Sequence, residues 1–206
     1  ELGHFELHRN SQLVFCTEND MCVWNEDKRQ EIEANEFAAA LLMPESLFTK
    51  YRKVEPPNMD AVIRLAKEFR TTLTSTALRY VQLSVEPCAV VISRDGIIRW
   101  YQKSEDFHFH VQVGERLSPF SYAAGFYKGV APPAQPERVP ADSWLAGNIS
   151  EDAEIFENSF PLGNYNVVLS LLWVNEEIRY NARYEEEEPE FDLRSRFTSD
   201  GKRWLW

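Results

Sequence analysis

Residues 31–44 read EIEANEFAAALLMP, and the organisation of the front of the chain follows from them. Alanines at 34, 38, 39 and 40 favour a helix, the early acids suit the positive end of its dipole, and Pro44 cannot continue it. The pattern predicts a helix from Arg29 to about Met43, with Phe37, Leu41 and Leu42 facing a core. At 3.6 residues per turn, Glu31 and Asn35 fall one turn apart on one face, and Glu33 points well away from it.

Upstream, the chain opens ELGHFELHR, which reads as the last part of a helix with Leu2, Phe5 and Leu7 toward a core. Glu1, Leu2, Gly3 and His4 spell E-x-x-H, the H-E-x-x-H zinc helix without its first histidine. That helix presents two imidazoles at i and i+4 to a metal, with a glutamate beside the first to take a proton from bound water. A rival pair, His4 and His8, has the same spacing. Its intervening Glu6 lies about 200° around the helix from His4 and cannot serve the same water. Because the chain starts inside a helical pattern, it reads as a fragment whose first ligand lies just before residue 1.

Downstream, residues 13–16 and 21–24 are short apolar runs, and residues 45–51 allow a further helical turn. Residues 54–58, with Pro56 and Pro57, read as a linker. Residues 59–69 and 73–83 form two amphipathic helices joined by a tight link, with Thr72 as N-cap. The placing of Ala66, Phe69, Thr72, Ala77 and Arg79 allows a helix-turn-helix, although Arg70 stands where glycine is common. A hairpin used only for packing fits equally, and the absence of a basic recognition face favours packing.

At residues 84–87 the grammar changes from helix to strand, and a domain boundary is expected there. A hairpin is predicted from CAVVIS at 88–93, Asp95-Gly96, and IIRWYQ at 97–102. The strictly alternating FHFHVQV at 107–113 predicts a strand with Phe107, Phe109, Val111 and Val113 on one face. Residues 118–128 read as a short helix, residues 129–142 as a proline-rich loop, and residues 154–159 and 167–174 as strands. The last of these is apolar enough to be central. The final thirty residues read as surface chain on which Trp204 and Trp206 dock. His108 and His110 share a strand face with no acid or cysteine at matched spacing, which favours a solvent-facing pair over a metal site.

The chain has 206 residues, 44% hydrophobic and 27% charged, the balance of a globular protein. A net charge of −11 argues against nonspecific nucleic-acid binding, which needs clustered lysine and arginine. The run Glu185, Glu186, Glu187 and Glu188 reads as a solvated loop. Three cysteines, Cys16, Cys22 and Cys88, are too sparse for a disulfide scaffold; they favour a reducing, cytoplasmic setting, with Cys88 a buried small hydrophobe. No apolar run is long enough to span a bilayer.

The wording EANEFAAALLMP, together with ELGH, resembles the signature of the ImmA/IrrE metallo-endopeptidases. In that family an H-E-x-x-H helix is followed by a helix of the type E-x-x-A-N-x-F-A-x-x-L-L-M-P. The resemblance implies that Glu1 is the general base, His4 and Glu31 are Zn²⁺ ligands, and Asn35 stands behind a ligand. It implies an α+β fold with three parts. A truncated zincin-like peptidase part (1–54) is followed by the helix-turn-helix-like pair (59–84) and a GAF-like sensor or docking domain (87–206). It further implies a protein substrate, a Cro/CI-like helix-turn-helix repressor cut in a stress or mobile-element response. Without the first histidine, the chain is expected to be inactive by itself. The alternative is a non-enzymatic regulator that senses a ligand through the helical pair and an aromatic-lined GAF-like domain.

Overall fold

The computed structural model describes residues 2, 6, 29–48, 56–147, 149–150, 152–163 and 166–174, with residues 29–32 given by backbone alone. The expected runs at 13–16 and 21–24, the cysteines Cys16 and Cys22, and the C-terminal tryptophans lie outside the described residues. Leu2 is helical but half exposed, so it does not face a core as the opening pattern suggested.

Helices come first. Helix α1 runs Arg29–Leu42, and a short α2, Glu45–Phe48, begins where the Pro44 carbonyl accepts from the amides of Leu47 and Phe48. Helix α3, Met59–Phe69, starts at Asn58, whose side chain accepts from the Ala61 amide at 2.9 Å. It ends at Arg70, which adopts φ 54° and ψ 43°. The left-handed turn is thus made without glycine, and the amides of Arg70 and Thr71 both close back onto the Ala66 carbonyl. Helix α4, Leu73–Leu83, has Thr72 as N-cap, its hydroxyl accepting from the Ser75 amide at 3.1 Å. Both helices of the pair keep the bounds read from their periodicity.

The strands follow: β1 (Cys88–Arg94), β2 (Ile97–Lys103), β3 (His110–Val111), β4 (Glu137–Pro140), β5 (Leu145–Ala146), β6 (Glu154–Pro161) and β7 (Val167–Trp173). Five of them make one antiparallel sheet in the order β2-β1-β7-β6-β4, while β3 and β5 form a separate two-stranded ladder. The β1–β2 hairpin turns through Asp95 and Gly96, at φ 55° and 74°, the doubly left-handed turn that matches strand twist. Strand β7 lies between β1 and β6, as its apolar sequence, interrupted only by Ser170, predicts. Helix α5, Tyr122–Phe126, is capped by Ser121.

Two expectations are corrected here. Only His110 and Val111 of residues 107–113 pair as strand; Phe107 is buried, but Val113 is half exposed. The alternation therefore records burial along an irregular segment and not a ladder. Within the proline-rich stretch 129–142, residues 137–140 form the edge strand β4, where Pro140 at the last position withdraws no bond from a central strand.

The sheet separates two apolar clusters. On one face Met59, Val62 and Leu65 of α3 and Ala77 and Val81 of α4 pack on Val90, Leu169 and Leu171. On the other, Ala89, Val91, Val168 and Leu172 are covered by Ala123 of α5, Phe107, Trp144 and neighbouring loops. The helical pair thus shares a core with the sheet that follows it. Buried Cys88 belongs to the helix-side cluster, and burial pushes its thiol from an ordinary 9.0 up to about 12.

Candidate functional site

Helix α1 carries two of the residues singled out by sequence, Glu31 and Asn35. Its link to the helical pair is concentrated at Met43, which is 1% exposed. The Met43 carbonyl accepts from Arg79 Nε at 3.2 Å, and its sulfur accepts from the Thr71 hydroxyl at 3.7 Å. Phe48 of α2 stacks on Phe69 of α3 with ring centroids 5.2 Å apart. Arg79 also donates to Gln82 Oε1 at 2.8 Å. Its partial burial lowers the guanidinium pKa, and the charge of Glu45 opposes that shift.

The inward face of α1 differs from the one expected. Ala39 and Met43 join the helix-side cluster, and Ala34 is buried, whereas Leu41 and Leu42 are 55% and 56% exposed and Phe37 is half-buried. Leu41 lies two residues from both Ala39 and Met43, about 200° around the helix, so anchoring through those residues turns Leu41 outward. By helical register Glu31, Asn35, Ala38 and Leu42 form one row, on which Asn35 and Leu42 are exposed. The side of α1 that bears Asn35 and Leu42 is therefore open.

Glu1 and His4 lie outside the described residues, and Glu31 is described by its backbone. Among the described residues no group of three His, Cys, Asp or Glu could hold a metal. The donor set His4 and Glu31 fits Zn²⁺, which accepts imidazole nitrogen and carboxylate oxygen. Asn35, one turn from Glu31 along the helix, is exposed. His110 is exposed, with Nδ1 3.3 Å from Tyr101 Oη, and His108 is half-buried. Helix α4, the second of the pair, buries Thr76, Ala77, Tyr80, Val81 and Leu83, so it packs with both neighbours and does not stand free.

Sequence reasoning missed the most fully engaged polar group in the described chain. Glu157 of β6 is 1% exposed and faces α5. One carboxylate oxygen accepts from the Ala123 amide at 2.7 Å and the Ser159 hydroxyl at 2.6 Å. The other accepts from the Tyr122 amide at 3.1 Å and the Trp144 indole at 2.8 Å. Burial raises its pKa, while all four donors work in the opposite direction. A polar seam continues from Ser159 to Ser170, whose hydroxyls lie 2.7 Å apart. Its neighbour Asn158 points to the opposite face. There Asn158 Oδ1 accepts from the Met59 amide at 2.7 Å, and Nδ2 donates to the Pro133 and Ala134 carbonyls at 3.5 and 3.3 Å. Nothing in EIFENSFP distinguishes these two from surface polar residues, because their partners are far away in sequence.

Helix α1 thus carries Glu31 and Asn35 one turn apart and is followed at once by Met43, which Arg79 and Thr71 hold. Residues 1–80 match the family model described as the IrrE N-terminal-like domain, peptidase M78. Over those residues the chain is similar to that metallopeptidase family, as a fragment of an ImmA/IrrE-type protein would be. The match runs from ELGH through α1, α2 and α3 and ends within α4. No curated protein matches the chain. Among the described residues no helix is long and apolar enough to cross a membrane.

Proposed function

We propose that the chain is part of a zinc-dependent endopeptidase that cleaves a regulatory protein, with a Cro/CI-like helix-turn-helix repressor as the substrate class. The observation that carries this is the match of residues 1–80 to a metallopeptidase domain, within which Glu31 and Asn35 stand one turn apart along α1. Bound zinc would supply Lewis acidity toward a peptide carbonyl and a water acidic enough to give up its proton near neutral pH. His4 and Glu31 are assigned as two of its three protein ligands. Asn35 holds a ligating side chain in place by its amide, and Glu1 takes the proton from the attacking water and hands it to the departing amine. The helical pair serves as packing: its apolar faces are spent on the sheet and on Met43. Residues 87–206 are read as a GAF-like sensor or docking domain, a reading supported by an antiparallel sheet covered on both faces.

The test uses the full-length protein, with zinc content and repressor cleavage measured side by side. Glu31→Ala and His4→Ala are expected to lose the metal. Glu1→Gln is expected to keep it and to cut on the order of 10²- to 10⁴-fold more slowly. Cleavage that survives Glu1→Gln would remove the assigned base. A wild-type protein that binds no zinc would favour a non-enzymatic regulator.

A further inference from the structure

Strand β6 joins the two faces of the sheet through consecutive residues. Glu157 fastens α5 and Trp144 on one face through three hydrogen bonds and accepts a fourth from Ser159 of its own strand. Asn158, the next residue, fastens the first amide of α3 and the carbonyls of Pro133 and Ala134 on the other. A strand alternates its side chains, so these two groups cannot move independently: rotating or sliding the backbone between them displaces both. From α3 the connection continues through the αL turn at Arg70 to α4. Arg79 and Thr71 then hold Met43 at the end of α1.

We propose that β6 is a coupler, passing a change at the Glu157 face of the sheet through Asn158 to α3 and so to helix α1. In this role Glu157 and Asn158 are positioning residues; they touch no reacting atom. The regulatory meaning, that events on the α5 side set the placement of Glu31, rests on the peptidase reading above. The mechanical connection does not.

Both ends are built of bonds that resist partial loss. All four partners of Glu157 are donors, so an amide in its place would turn an N–H toward another N–H and leave a buried donor unpaired. On the other face, Asn158 Oδ1 caps an orphan amide at the start of an eleven-residue helix, and no other described side chain reaches that amide. Loosening β6 at one residue therefore loosens the restraint made by the next. A chain of packed groups is not in itself proof of coupling; non-additivity between the two residues is.

The test is hydrogen–deuterium exchange on the full protein with Glu157→Gln, Asn158→Ala, the double variant and Asn158→Asp. Coupling predicts that Glu157→Gln speeds exchange roughly threefold or more in residues 59–69 and 29–48. It further predicts that the double variant is no faster there than Asn158→Ala alone. Asn158→Asp keeps an acceptor for the Met59 amide while losing the donors to 133 and 134. It should leave 59–69 protected and free 131–135, which keeps the idea testable if Asn158→Ala does not fold. Changes from Glu157→Gln confined to 118–161 would overturn the proposal, and so would effects that simply add in the double variant. An equal rise in strand 88–94 would mean global loosening and would also overturn it. Zinc content measured on the same samples reports separately on the peptidase reading.

Discussion

The two faces of the sheet are held by different physics. Under α3 and α4 the contacts are nearly all apolar, Met59, Val62 and Leu65 against Val90, Leu169 and Leu171. Such packing is non-directional, tolerates swaps that conserve volume, and loses stability in proportion to the space opened. Under α5 a seam of polar groups crosses the core, from Trp144 through Glu157 and Ser159 to Ser170. Hydrogen bonds there fix orientation, and removing one partner costs the desolvation of those left behind. Both faces bury an apolar cluster, and the α5 side adds a seam that specifies a single arrangement.

This contrast can be broken by substitution, and the largest expected effect is on the helix side. Leu65→Ala removes a fully buried side chain and should cost about 3 kcal/mol in urea unfolding, with the loss spread over both clusters. A cost under about 1 kcal/mol would mean that the face collapses around the gap and is softer than described. Glu157→Gln, nearly isosteric, should cost about 2 kcal/mol, and Glu157→Leu more than the apolar gain returns, because four donors lose their acceptor. Near-neutral behaviour of Glu157→Gln would show that the seam adds little.

Alkaline titration probes the helix side again. Cys88 is raised to about 12, chiefly by burial, and Tyr80 is raised above its ordinary value for the same leading reason. A folded-state pKa above the unfolded one means that the folded chain holds its proton more tightly. The Cys88 contribution is complete below pH 9.0 and is lost as pH rises toward about 12. Stability should fall there by about 1.4 kcal/mol per pH unit for each such group, and Cys88→Ala should flatten the slope. The smallest expected effect is Thr72→Ala, about 1 kcal/mol for the lost cap, read as a lower melting temperature.

Local signals carried most of the secondary structure. The periodicity of 59–83, the Thr72 cap, the Asp95-Gly96 turn and the apolar run of β7 each act over a few residues, and each is where the sequence puts it. What failed were inferences that depended on a distant partner. Leu41 and Leu42 look like core residues by hydropathy, but the side of α1 that packs is chosen by Arg79 and Thr71 gripping Met43. Edge strand β4 was hidden by its prolines, since its pairing with β6 is supplied from outside. Glu157 and Asn158 are ordinary letters until the fold brings α5, Trp144 and Met59 to them. Of the proposed site, the helix bearing Glu31 and Asn35 is legible in the sequence, and the exposure of Asn35 accords with the same grip on Met43.

That grip holds the C-terminal end of α1 at Met43. Glu31 lies twelve residues from Met43, a span of about 18 Å at 1.5 Å rise per residue. A tilt of only about 5° at that end would carry Glu31 sideways by roughly 1.6 Å, and a misplacement near 1 Å can slow a reaction on the order of 10²-fold. If Glu31 is the ligand proposed above, a conservative change at Met43, Thr71 or Arg79 should be felt in metal binding more strongly than in the stability of the fold.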